Sequence, residues 1–214
     1  MTHSSRQARR IYLTIIVLVA FIALILGLYF SQLSHTKKPD LSKFNGTLLT
    51  TPRQIDDFSL AGTSDKNYTK ASLQGHWTFM FFGYTQCPKL CPVTMSELAN
   101  MYKQLESDNV QDLPEVVLIS LDPERDTVQK MKQYVTAFNP HFVGAVGESA
   151  QIDKMTKEMG IAYMKVNNGN NAADYMIQHS GTIILFNPQG DIAAYFSLPH
   201  DPSKMAKDYE MLVS

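Results

Sequence analysis

The pattern of apolar residues divides the chain into an apolar N-terminal segment, a polar stretch and a long region of alternating strand and helix signals. Residues 11–30 form the uncharged run IYLTIIVLVAFIALILGLYF. At about 1.5 Å per residue, a helix of this length crosses the hydrocarbon core of a bilayer, which is roughly 30 Å thick. We therefore predict one transmembrane helix over residues 11–30.

The flanks of this run favour an uncleaved signal anchor. A cleaved signal peptide has an apolar core of only about 7–15 residues, followed by small residues at the cut site. Here Tyr29 and Phe30 end the run, and residues 31–33 are Ser, Gln and Leu. Residues 1–10 are then a cytoplasmic tail. Basic residues flank the run on both sides, so the charge distribution does not decide the orientation of the helix. We place the domain outside the cytoplasm because of its large size and its cysteine pair.

The remainder reads as a polar linker over residues 31–55 and a folded domain over residues 56–214. Apolar runs predict strands at residues 76–85, 115–122, 141–147, 161–167, 181–187 and 191–196. Helical periodicity predicts helices at residues 92–106, 127–138, 149–159 and 202–212, with Gly160 ending the third. This alternation indicates an α/β domain with a mixed central sheet flanked by helices.

Composition narrows the possible functions. The chain has 214 residues, 44% of them hydrophobic, which suffices for one sizeable domain and an appendage. Its 19 basic and 20 acidic residues give a net charge of -1, which excludes a basic nucleic-acid-binding domain. It has only 2 cysteines, too few for a disulfide scaffold or for a four-thiolate iron–sulfur cluster.

The two cysteines share one motif, FGYTQCPKLCP, which contains Cys87 and Cys91. The motif follows a buried strand and opens the next helix, where thioredoxin-like domains carry reactive thiols. Helix N-termini stabilise anions, and Lys89 adds a positive charge between the sulfurs. We therefore predict a thioredoxin-like fold and a redox-active thiol pair, with at least one cysteine present as thiolate.

Two thiolates are also soft metal ligands, suited to Cu(I) or zinc. A structural zinc site needs four protein ligands, whereas Cu(I) accepts fewer, so one histidine would complete a Cys2His copper site. The domain offers four candidates, and His179, directly before a buried strand, ranks first. The others are His76, His141 and His200.

Three motifs taken together resemble the SCO/SenC proteins, which are copper-binding assembly factors for the CuA centre of cytochrome c oxidase. They are FGYTQCPKLCPVTMSEL, ISLDPERDT and DYMIQHSGTIILFNPQGDIAAYF, and the resemblance covers residues 50–214. It implies that Cys87, Cys91 and His179 bind copper, as Cu(I) and possibly also as Cu(II). It also places Asp122 at the family's acidic position near the metal loop; the alternative is a turn residue before Pro123.

The chain departs from the family pattern in two places. Family members often have His-Cys-Pro-Asp where this chain has Gln86, Cys87, Pro88 and Lys89. They often have Asp before the ligand histidine, where this chain has Gln178. Two carboxylates near the site are thus replaced, and such outer groups tune copper affinity and redox balance.

Two functions follow from these residues. The first is a copper metallochaperone that receives copper from a donor chaperone and delivers it to the CuA site of oxidase subunit II. The second is an enzyme, a thiol–disulfide oxidoreductase acting on that subunit or on other exported proteins. Both need a thiol reductant, but only the first needs His179. We expect the domain at the periplasmic face of a bacterial inner membrane, with the mitochondrial inner membrane as the alternative.

Overall fold

The computed structural model describes residues 13–27, 41–64, 66–167 and 175–213. The chain divides into two units, one of residues 1–40 with Ser214 and one of residues 41–213. In the first unit, the described residues 13–27 form helix α1. No helix among the described residues combines the length and apolar character needed to cross a membrane. The remaining residues of the predicted span, the predicted tail and the first part of the predicted linker lie outside the described residues.

The second unit alternates strands and helices. Its strands are β1 (Thr47–Arg53), β2 (Ser59–Gly62), β3 (Asn67–Thr69), β4 (Thr78–Gly83), β5 (Glu115–Ser120), β6 (Val143–Val146), β7 (Tyr163–Asn167), β8 (Tyr175–His179), β9 (Ile183–Phe186) and β10 (Ile192–Phe196). Its α-helices are α2 (Leu90–Ser107), α3 (Val128–Thr136), α4 (Ser149–Met159) and α5 (Pro202–Val213). Two short 3-10 helices occupy Leu41–Lys43 and Lys70–Leu73.

Eight of these strands form one sheet in the order β1-β10-β9-β4-β5-β6-β2-β3. Strand β4 pairs in parallel with β5 and antiparallel with β9, so the sheet is mixed. Strands β7 and β8 form a separate antiparallel hairpin. The predicted α/β class, a mixed central sheet flanked by helices, is confirmed.

Strand β4 lies in the middle of the sheet because its residues are apolar on both faces. Every residue of β4 is buried, as expected for a strand covered on both sides. Helix α2 packs against α5, and α3 packs against β6. The parallel pairing of Gly83 with Ser120 brings the carboxyl ends of β4 and β5 to the same edge. The cysteine motif and the DPERDT segment both start at this edge.

The predicted helices and strands agree closely with the observed ones where the apolar periodicity of the sequence is strong. Helix α4 spans the predicted residues, and Gly160 ends it in the left-handed conformation, at φ 72°. The differences lie at weakly patterned strands: β2, β3 and β8 were not predicted, and β1 lies within the predicted linker. Strand β1 is largely exposed and, among the described strands, pairs with β10 alone, so its sequence carries little apolar signal.

Candidate metal and thiol site

The cysteine pair lies where the chain leaves β4 and enters α2. The backbone N–H of Cys87 donates to the carbonyl of Tyr84 at 3.3 Å, which turns the chain toward the helix. Cys91 is the second residue of α2, within its first turn as predicted. A Cβ atom on Gly83 would lie 2.8 Å from Cys91 Sγ, so the glycine lets the end of β4 approach this sulfur.

The structure brings Cys87, Cys91 and His179 together. The Nε2 atom of His179 lies 3.3 Å from Cys91 Sγ, although 88 positions separate the two residues. One ligand atom from each of the three residues lies within 4.8 Å of the others. Both cysteines are free; Cys91 is fully buried and Cys87 is half-buried. Two sulfurs and an imidazole nitrogen are the donor set that suits Cu(I).

His179 is the last residue of β8, and its ring packs against two aromatic residues. The ring centroid lies 5.7 Å from that of Phe81 and 6.3 Å from that of Tyr84. These contacts hold Nε2 toward the thiols. The opposite nitrogen, Nδ1, is buried and has no hydrogen-bond partner among the described residues.

The other three histidines of the domain lie elsewhere. His76, two residues before β4, is 3.6 Å from the carboxylate of Glu115. His141 stacks on Tyr102, with ring centroids 6.2 Å apart. His200 forms a hydrogen bond through Nε2 with the carbonyl of Gly181, at 2.9 Å. Gly181 lies two residues after His179 in the sequence.

The pKa values of the two thiols are shifted in opposite directions. The hydrogen bond from the Cys91 thiol, helped by His179 and by the backbone N–H groups of Cys91 and Lys89, lowers the pKa of Cys87 to about 3. The same hydrogen bond, together with burial and the charge on Cys87, raises the pKa of Cys91. The Cys91 N–H points at Cys87 Sγ, 3.3 Å away, so the helix N-terminus stabilises the earlier sulfur.

Lys89 favours the Cys87 thiolate through its backbone. Its side chain is exposed, and its N–H is among the groups that favour the Cys87 thiolate. The sequence predicted a through-space effect of the lysine charge and an anion-stabilising position at Cys91. In the structure the stabilised thiolate is Cys87.

Asp122 is buried beside the site and is not part of the ligand group. One carboxylate oxygen accepts from the hydroxyl of Tyr175 at 2.6 Å, and the other pairs with Arg125. The guanidinium of Arg125 also donates to the Tyr175 carbonyl at 3.0 Å and lies 3.7 Å from the ring centroid of that tyrosine. Asp122 therefore anchors the β7–β8 hairpin.

Sequence reasoning missed Asp126 and Tyr84. Asp126 is buried and accepts from the Thr85 backbone N–H and hydroxyl and from the Ser120 hydroxyl, which fixes the chain ahead of Cys87. The hydroxyl of Tyr84 accepts from the Ile177 N–H at 3.2 Å and so holds β8 over the cysteine loop. The only sequence signal for them is their place within the cysteine motif and the DPERDT segment.

The family model described as SCO1/SenC matches residues 47–214, which include the whole site. The chain belongs to the SCO1/SenC family. The resemblance inferred from the three motifs is thereby confirmed. An SCO2-like protein of Rickettsia prowazekii is 31% identical over 168 residues, which cover 78% of this chain and 80% of the relative.

Two solved SCO1/SenC structures share the fold. Arabidopsis thaliana ScoI with copper bound is 30% identical, with a TM-score of 0.67, over 73% of this chain and 96% of that one. Bradyrhizobium japonicum ScoI with copper bound is 34% identical, with a TM-score of 0.64, over 72% of this chain and 96% of that one.

Proposed function

We propose that this chain binds Cu(I) through Cys87, Cys91 and His179. The observation that carries the proposal is the convergence of two sulfurs and one imidazole nitrogen within 4.8 Å. Two related structures, from Arabidopsis thaliana and Bradyrhizobium japonicum, are described as having copper bound, which supports the same cargo here. The Cys87 thiolate is a ready ligand, and the Cys91 proton is released when copper binds.

We infer that the copper is cargo, delivered to the CuA site of cytochrome c oxidase subunit II. A site with three protein ligands leaves room for an incoming thiolate before a resident ligand departs, so copper passes by ligand exchange. The half-buried Cys87 is the ligand open to such an exchange, whereas Cys91 stays enclosed. A donor chaperone supplies the copper, and a thiol reductant keeps both cysteines reduced.

Ligand variants test the copper proposal. The purified, reduced full-length chain in detergent is expected to bind one Cu(I) per molecule, with Cys87→Ser and Cys91→Ser each abolishing tight binding. His179→Ala is expected to weaken binding by about tenfold or more, since one of three ligands is lost. Competition against a chromophoric Cu(I) chelator measures each affinity.

His141→Ala is the matched control, because His141 lies on the Tyr102 ring, away from the thiols. It is expected to bind copper like the parent. If His179→Ala matches the parent as well, the histidine is not a ligand and the Cys2His assignment fails.

A thiol–disulfide oxidoreductase is the second candidate, and the low pKa of Cys87 favours it. In this reaction the Cys87 thiolate attacks a disulfide sulfur of the substrate and displaces one thiolate. Cys91 then loses its proton and displaces the other, so two electrons pass to the substrate and a Cys87–Cys91 disulfide remains. Reduction of a disulfide peptide by the metal-free chain tests this. If it is the main role, His179→Ala is expected to retain most of the activity.

We also propose that residues 11–30 anchor the chain in a membrane, with the domain outside the cytoplasm. The support is the length and uncharged character of the run. A membrane-tethered domain is suited to a membrane-embedded oxidase as recipient, because the tether restricts the search to the bilayer surface.

A further inference from the structure

Two methionine side chains are exposed on the hairpin that ends in His179. Met164 on β7 is 58% exposed and Met176 on β8 is 37% exposed. Every other methionine in the described part of the chain is buried or half-buried. Single exposed apolar side chains are ordinary, so what distinguishes these two is that soft sulfur atoms lie on the hairpin that carries His179.

The strand register places both side chains on one face of the hairpin. Met164 lies opposite Gln178, and Met176 lies two residues before Gln178 on the same strand. Since side chains alternate along a strand, Met164, Gln178 and Met176 share a face. The two methionines are thus diagonal neighbours, with Cβ atoms roughly 7 Å apart, within reach of one another for such long side chains.

Each methionine also lines a cleft that includes His179. Met176 borders a cleft of about 260 Å³ together with Cys87 and His179. Met164 borders a second cleft, of about 310 Å³, that includes His179 and Gln178. By the same alternation the His179 side chain points to the opposite face of β8, so the cleft that Met176 shares with Cys87 is what connects the methionine face with the thiols.

We propose that Met164 and Met176 form a thioether site that captures Cu(I) and passes it to Cys87, Cys91 and His179. The inference rests on the proposed copper function and adds an entry point to it. Thioethers are soft, neutral donors that select Cu(I). Because they carry no charge, they hold the ion less strongly than thiolates, so the affinity rises in the direction of transfer.

The transfer changes no oxidation state. Copper–thioether bonds break as bonds to the Cys87 thiolate, the His179 nitrogen and the Cys91 sulfur form. The Cys91 proton passes to water, and the copper stays Cu(I) throughout. The methionines, unlike the thiols, remain available when Cys87 and Cys91 are oxidised to a disulfide.

Loading kinetics test the proposal. Cu(I) is offered to the reduced full-length chain by a chromophoric chelator, and the absorbance change gives the transfer rate. The double variant Met164→Leu with Met176→Leu keeps the apolar surface and removes both sulfurs. It is expected to load about tenfold more slowly than the parent, with an unchanged equilibrium affinity. Met211→Leu, on helix α5, is the control and is expected to load like the parent.

Other results overturn the proposal. If the double leucine variant loads as fast as the parent, Met164 and Met176 form an apolar surface without a role in metal binding. A double variant that loses equilibrium affinity at the thiol site makes a methionine part of that site rather than an entry point. Absence of tight binding in the parent itself is a failure of the proposed function, not of the thioether pair.

A second measurement examines the thioethers without the thiols. The wild-type chain is oxidised to the Cys87–Cys91 disulfide, labelled with ¹³C at the methionine methyl groups, and titrated with Ag(I) as a redox-stable substitute for Cu(I). The Met164 and Met176 methyl resonances are expected to shift, while that of Met211 does not. Unchanged resonances for both hairpin methionines overturn the proposal whatever the thiols bind.

Discussion

At the scale of single residues, the difference between the two sulfurs has a measurable result. Thiolate is the form that alkylating reagents attack, and the pKa of Cys87 is lowered to about 3. Above that pH the thiolate is already present, so alkylation of Cys87 is expected at a nearly constant rate from roughly pH 5 to 8. The rate is expected to fall as the pH approaches 3. Cys91 is fully buried and its pKa is raised, so it is expected to stay unmodified.

Peptide mass spectrometry after timed alkylation of the reduced, metal-free chain identifies the modified sulfur. Cys91→Ala is an informative companion, because it removes the thiol hydrogen bond to Cys87 without supplying another donor, and it is expected to move the Cys87 profile to higher pH. A rate in the parent that climbs steadily toward the free-cysteine pKa near 8.5 would contradict the assignment.

The motif identifies the candidate residues but not their charge states. Cys87 and Cys91 follow from spacing alone, and His179 follows from its place before a buried strand together with the family resemblance. Which sulfur carries the charge depends on where the Cys91 N–H points, and that direction exists only in the folded loop. Asp126 was missed for the same reason, since its partner Thr85 lies 41 positions away.

At the scale of elements, the Tyr84 hydroxyl joins the cysteine loop to strand β8. Tyr84→Phe is expected to leave the buried Ile177 N–H without its acceptor, at a cost of about 1–3 kcal/mol in the free energy of unfolding. Because β8 carries His179, Cu(I) affinity is also expected to fall. Denaturant unfolding and chelator competition give the two quantities.

Tyr134→Phe is the matched control for this variant. The Tyr134 hydroxyl is buried and has no hydrogen-bond partner among the described residues, so its removal breaks no bond there. Equal losses of stability in the two variants would show that the Tyr84 hydrogen bond does not hold the hairpin.

Helix α4 and strand β8 show which secondary structure can be predicted from the sequence and which cannot. Helix α4 has a clear apolar face and a glycine terminator, so its residues were predicted correctly. In β8 only Tyr175 and Ile177 are buried, and the strand is stabilised by its pairing with β7 and by the Tyr84 hydroxyl. Neither of these partners can be recognised from the local sequence.

At the scale of the whole molecule, the uncharged run 11–30 predicts how the chain partitions. The full-length protein is expected to remain in the membrane fraction after a high-salt or alkaline wash, because a spanning helix buries its apolar surface in lipid. A variant lacking residues 1–30 is the control and is expected in the wash. Release of the parent with its N-terminus trimmed beyond Phe30 would identify a cleaved signal instead.

His179 lies on the β7–β8 hairpin, whereas both cysteines lie where the chain enters α2, and this separation has a consequence for amide hydrogen exchange. A two-stranded hairpin is marginally stable by itself, so β7 and β8 are expected to open, and exchange their amides, more readily than β4 and β5. A Cu(I) ion held from both sides must lose its His179 bond before the hairpin opens. Copper is therefore expected to slow exchange throughout β7 and β8, and to leave it unchanged there in His179→Ala. Exchange mass spectrometry of the two strands would then record, at backbone positions that never contact the metal, when the third ligand bond forms.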